Sequence, residues 1–213
     1  MKNIFCYVLA LFFIAFQVAY SQELDSNKSP GKGRLMIEPT LELVNRDFGK
    51  GSFLGDAYQL GIGYNFRMNA RIGGYPGIGL YTLNQSASVL ENNFLGGIFE
   101  DARFKESGVL IYYTFHLHRR FMVSPELGFG LLQLIHGESP SRFILNYNRL
   151  FGGLGLSYVL IKDKNGVYDV SLIVRGGHGG LNGSEIIINQ SDRSYVRRAT
   201  DFQGSLGIQI SFH

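Results

Sequence analysis

The chain is 213 residues long and carries 20 Lys plus Arg against 17 Asp plus Glu. That balance is too even to point to nucleic acid or an acidic surface as a partner. Charged residues make up 17%, below the roughly 25% usual in soluble domains, while 28 glycines, 12 tyrosines and 17 phenylalanines are in excess. The single cysteine, Cys6, lies in the first apolar stretch, so the rest of the chain is expected to hold no disulfide and no cysteine-based metal site.

Lys2 precedes an apolar run from Ile4 to Phe16, and Ala19-Tyr20-Ser21 places small residues where a signal peptidase reads them. This pattern predicts a secretory signal peptide over 1–21, cleaved before Gln22. Residues 22–33 are polar and without periodicity, a flexible segment before a β domain over 34–213. No later apolar run is long enough for a transmembrane helix, so any membrane crossing is made by strands.

Alternation with a period of two starts at Leu35, Ile37, Leu41 and Leu43, set against Met36, Glu38, Thr40 and Glu42. Its cleanest run is Tyr58, Leu60, Ile62, Tyr64, Phe66 and Met68 against Gln59, Gly61, Gly63, Asn65 and Arg67. Ile72 to Leu83 forms a weaker third strand in which Pro76 suggests a bulge. Strands four and five, Val109 to His118 and Phe121 to Leu131, flank Arg119-Arg120. Their inward sets are both even-numbered, so the hairpin needs an odd loop or a bulge. Strand six runs from Arg149 to Leu160 and strand seven from Tyr168 to Arg175, joined by the short turn 162–166. The eighth, Asp201 to His213, places Phe202, Leu206, Ile208, Ile210 and Phe212 on one face and Asp201, Gln203, Ser205, Gly207, Gln209 and Ser211 on the other.

Its ten steps from Phe202 to Phe212 climb roughly 25 Å at a tilt near 40°, the height of the apolar band of a membrane barrel. A terminal strand in lipid must satisfy its free edge by pairing with the first strand, which predicts closure of Asp201–His213 onto 35–44. Connections alternate long and short, and both termini fall on the short-turn side. The polar face offers Gly, Ser, Gln and Thr in place of a soluble exterior's many charges. The apolar face carries paired aromatics, Tyr58 with Phe66, Phe121 with Phe129 and Phe202 with Phe212, as two interfacial girdles do.

A signal peptide, eight alternating strands, short turns and a last strand ending in Phe212 resemble the small outer-membrane barrels of the OmpA-domain and OmpX type. The resemblance covers nearly all of the chain after the leader, and departs from the type in following the final aromatic with His213. It implies an all-β, eight-stranded antiparallel up-and-down transmembrane β-barrel with short periplasmic turns and longer extracellular loops. It further implies outer-membrane lipid and the barrel-assembly machinery, reading the C-terminal strand, as partners in a Gram-negative cell envelope.

Glu38, Glu42, Arg67, His116, His118, Glu126, Arg149, Asp169 and Arg175 all fall on the polar face. In a barrel this narrow, side chains fill the interior, so mixed charges pair and close the lumen; the alternative is a narrow ion path through them. His116, His118 and Glu126 make a metal site conceivable, on spacing that is weak. A lipid A deacylase on such a barrel uses a lipid-facing His and Ser two residues apart; Phe115-His116-Leu117-His118 has no Ser and both histidines inward. Asp47, Asp56, Asp101, Asp192, His136 and His178 could build a protease-like rim site, although scattered loop charges are usually solvated. No catalytic, cofactor-binding or metal-ligating residue is therefore assigned. The expected function is non-enzymatic, in envelope structure or surface interaction, with a surface-acting hydrolase or a narrow pore as alternatives. The long connections 84–107 and 176–200, with Val89, Leu90, Phe94 and Ile186 to Ile188, would meet any surface partner.

Overall fold

The computed structural model describes residues 34–48, 58–71, 75–90, 99–137, 142–164, 167–183 and 198–212; the expected signal peptide and residues 22–33 lie outside them. The alternating runs become β1 (Arg34–Asp47), β2 (Gly61–Arg71), β3 (Pro76–Ser88), β4 in two segments (Asp101–Tyr113 and Phe115–His118), β5 (Phe121–His136), β6 (Phe143–Lys162), β7 (Tyr168–Gly183) and β8 (Arg198–Phe212). Each pairs antiparallel with its chain neighbour, and β8 also pairs with β1, Leu35 opposite Phe212 and Asp47 opposite Thr200. The sheet is thus a closed barrel without a free edge, the condition for exposing a ladder to lipid.

Directly opposed residues, followed around the wall, leave β4 at Lys105 and pass Asn84, Tyr64, Leu41, Leu206, Val174, Leu156 and Val123 before meeting β4 again at Phe115. That offset sets a strand tilt of about 40° for eight strands spaced ~4.8 Å apart. β4 breaks at buried Thr114, whose N–H leaves the ladder and donates to the Tyr75 carbonyl at 2.9 Å. The parity conflict in the following hairpin is relieved by a bulge: His116 opposes Met122, whereas His118 opposes Phe121. No bulge forms at Pro76, which is the first residue of β3, where its missing N–H costs nothing; β3 then pairs without slip to both neighbours.

Outward positions form an apolar belt. On β1 it runs from Leu35 through Leu41, 66% exposed, to Leu43, about 20 Å up the tilted strand, before Asn45 and Asp47 turn polar. β4 shows the same boundary, with outward Asp101, Arg103, Lys105 and Ser107 preceding Val109 and Ile111. The hairpins therefore continue past the belt. Residues 84–88, 101–107, 176–183 and 198–200, expected as loop, are strand because period two persists through them. Tyr58 does not join the outer girdle: it makes an isolated bridge with Val89 above the start of the β2 ladder and points inward, 7% exposed.

Candidate functional site in the barrel interior

The inward face of every strand meets in a lumen too narrow for water to fill, so each polar side chain there must find a protein partner. Nearest the short-turn rim, Glu126 of β5 accepts from Arg67 of β2 at 2.7 Å and from Arg175 of β7 at 3.1 Å. Arg175 also reaches Glu38 of β1 at 2.5 Å, and Glu38 accepts from Gln209 of β8. Glu42 accepts from Asn65 at 2.9 Å. One level higher, the Arg149 fork of β6 donates to both oxygens of Asp201, at 2.5 and 2.8 Å, to Glu106 at 3.0 Å and to Gln203 at 2.8 Å. Tyr81 donates to the same Glu106 oxygen, and the Arg149 guanidinium lies 4.6 Å from the Phe151 ring centroid.

Toward the long-loop rim the filling becomes aromatic. Arg46 donates to Gln85 and lies 4.0 Å over Phe104, which packs edge-on to Tyr58; Phe48 and Tyr147 complete the layer with Leu132, Leu134 and Leu145. Tyr58 Oη and His136 Nε2 are 2.8 Å apart. His136 ends β5, fifteen steps above Phe121, about 38 Å up the tilted strand and beyond the roughly 25 Å apolar band. Burial alone pushes its imidazole pKa down to about 4, so it is neutral at ordinary pH.

Among the described residues, six buried carboxylates face five buried arginines, and half-exposed Arg34 sits 3.8 Å from the sixth carboxylate, Asp169. The interior is close to neutral: Arg67, Arg149 and Arg175 are ion-paired to carboxylates, whereas Glu42 and Arg46 are held by neutral partners, Asn65 and Gln85. Beneath the Glu126 cluster a cavity of about 10 Å³, lined by Asn69, Tyr112, Ser124, Ser157 and Gln209 among others, has room for about one water. The barrel is filled, and its ion-paired acids and bases brace strands on different sides of the lumen.

Of the residues singled out in the sequence, Glu38, Glu42, Arg67, Glu126, Arg149, Asp169 and Arg175 are buried inside. His116 and His118 are not: both are exposed at the short-turn rim, and the bulge puts them on opposite faces, far from sharing a ligand set with Glu126. Among the described residues, the rim Asp/His group does not come together either. His136 is fully buried inside the barrel, while neighbouring Asp101 points outward, since the inward residue opposite His136 is Ala102. His178 is outward on β7 opposite Phe202, in strand and not loop, and Asp47 is outward on β1; Asp56 and Asp192 lie outside the described residues. Sequence reading missed Arg46, Glu106 and Tyr81. Arg46 keeps the parity of Glu38 and Glu42, and Glu106 that of Gly108 and Leu110, so extending the alternation would have found both.

No protein-family model matches the chain, and no curated relative does. Solved structures do resemble it. The outer membrane protein OprG from Pseudomonas aeruginosa superposes with a TM-score of 0.53 at 14% identity, covering 85% of this chain and 96% of that one. Neisserial surface protein A (NspA) gives 0.51 at 12% identity, over 87% and 99%. With its closed eight-stranded sheet, apolar outer belt and side-chain-filled lumen, the chain has the fold of the small outer-membrane β-barrels.

Proposed function

We propose that this protein is an integral outer-membrane barrel with no enzymatic role, acting in envelope structure or surface contact through its long-loop rim. The observation that carries this is the pairing of a continuous apolar exterior with a neutral, filled interior, which leaves only the rims to meet other molecules. Short turns at 72–75, 119–120 and 163–167 face the periplasm on this reading, and the projecting ends of β3–β8 face outward, as strand connections do in such barrels. Against a pore stands the cross-bracing of Arg149 and Arg175 to carboxylates on other strands, since paired charges of both signs neutralise better than they conduct. Against a lipid-acting hydrolase stands the surroundings of His178, the one described lipid-facing histidine within a long strand: its same-face neighbours on β7 are Gly176 and Gly180, with no serine.

The test is heat-modifiable gel mobility of the membrane-extracted protein combined with proteolysis of intact cells. A mobility shift on boiling, with cleavage confined to the long-loop side, is the expected outcome. An unshifted band, or cleavage at 163–167 from outside, overturns the proposal.

A further inference from the structure

At the long-loop end of the lumen one titratable ring joins several strand ends. His136, the last residue of β5, is fully buried. Its ring stacks on Tyr58 with centroids 5.7 Å apart, and meets Phe99 at 5.2 Å and Phe143 at 5.9 Å. Its Nε2 lies 2.8 Å from Tyr58 Oη, whereas its buried Nδ1 has no hydrogen-bond partner among the described residues. One imidazole thus ties the end of β5 to the chain before β2, the chain before β4 and the start of β6. Above the regular β2 ladder two backbone bonds hold the same corner: Gln59 N–H donates to the Ser88 carbonyl at 3.0 Å, and Val89 N–H to the Glu100 carbonyl at 2.8 Å.

A neutral imidazole suits this enclosure. Protonation puts an N–H on both ring nitrogens; Tyr58 Oη can accept from Nε2, but the Nδ1 proton meets no acceptor, and a charge enclosed by aromatic rings is costly unless it is paired. No acid of the surrounding elements compensates it. Glu100 before β4 is exposed, Asp101 of β4 points outward and accepts from the Ser88 hydroxyl at 3.5 Å, and Asp47 is outward on β1. Arg142 before β6 is an exposed cation, Arg46 is a cation over Phe104, Tyr147 offers only a phenol, and Glu106 and Asp201 lie a tier lower on Arg149. We propose that protonation of His136 unlatches the long-loop end of the barrel, parting Tyr58, Phe99 and Phe143 from it while the ion-paired tiers beneath stay closed. Burial holds the enclosed imidazole down to about 4, against about 6.5 for a ring in water. The open form therefore takes the proton first, and opening gains about tenfold per pH unit as pH falls through that window. The inference goes beyond the reading above and borrows from it only that this rim faces the outside medium.

Residue-resolved amide hydrogen exchange of the refolded full chain in detergent micelles, corrected for the intrinsic pH dependence of exchange, tests this between about pH 7.5 and about pH 4.5. The opening equilibrium read at the Gln59 and Val89 amides should rise by about 50- to 100-fold over that range. The Thr114 and Val159 amides, bonded to the Tyr75 and Arg120 carbonyls at the short-turn rim, should change by less than about fivefold. His136→Phe keeps a packed ring that cannot titrate, and should hold the change at Gln59 and Val89 below about fivefold. His136→Gln, which also cannot titrate but can still bond Tyr58 Oη, is read the same way should the Phe variant fail to assemble. A pH-independent wild type at Gln59 and Val89, an equal rise at both rims, or an undiminished rise in either variant each overturn the latch. Heat-modifiable mobility separates the two readings: its absence at about pH 7.5 fails the barrel itself, whereas an intact barrel without the exchange response sinks this inference alone.

Discussion

Replacing Arg149 by Met isolates the energetics of the filled lumen. Arg149 is 1% exposed, and four of its donations end on two carboxylates, Glu106 and Asp201, and on Gln203. Met keeps much of the aliphatic stem but removes every donor. Asp201 then loses both oxygens' partners, while Glu106 retains only the Tyr81 hydroxyl. Stranding one member of a buried ion pair costs about 3–5 kcal/mol, because the desolvated charge is left uncompensated. Arg149→Met should fall in that range, read as a lowered urea midpoint in lipid vesicles. The triple variant Arg149→Met/Glu106→Gln/Asp201→Asn should recover most of the loss, since replacing all partners together leaves no buried charge. A loss below about 1 kcal/mol for Arg149→Met, in line with exposed ion pairs, would mean that water reaches these groups and the lumen is not filled.

Lys at Leu206 or Ile208, both outward, should cost roughly 2–4 kcal/mol near the bilayer midplane, against a smaller effect for Lys at inward Ser205; equal tolerance would argue against a lipid-facing β8. Gly207→Ala should destabilise by about 1–3 kcal/mol through overpacking, because its Cβ would sit 2.2 Å from the Pro39 carbonyl oxygen and 2.7 Å from Thr40 Cα. Gly204→Ala, with nothing within 4 Å, should be close to neutral, and a reversed order in refolded fractions would contradict the register. His136 titrates near 6.5 when unfolded and about 4 when folded, so the unfolded chain binds the proton first. Stability is then full above pH ~6.5 and declines as pH falls toward 4, by up to about 3 kcal/mol; His136→Phe should flatten that part of the urea-midpoint profile, and an unchanged slope would refute it.

The closed barrel was legible because period two, once set by a half-buried strand, assigns every residue to a face. Leu206 and Ser205 follow from parity alone, and so does the β1–β8 closure. The same parity required an irregularity between the fourth and fifth strands, although only the packing around Thr114 and the tight turn at Arg119-Arg120 places it at His116–His118. Tyr58 was misread for the opposite reason: its alternation runs unbroken into Ile62, but the ladder starts at Gly61, and above it the chain turns Tyr58 inward to meet His136. The choice of ion partners was out of reach. Arg149 bonds to Glu106 and Asp201 across the lumen, at separations of 43 and 52 residues that no local pattern encodes.

The central claim, a barrel closed by its own side chains, is tested most directly by single-channel recording of the refolded protein in planar bilayers. The braced tiers of Arg67–Glu126–Arg175–Glu38 and Glu106–Arg149–Asp201, capped by the Phe48–Tyr58–Phe104 layer, predict little or no steady conductance. Stable openings of hundreds of picosiemens, on the order expected of a water-filled channel, would contradict it.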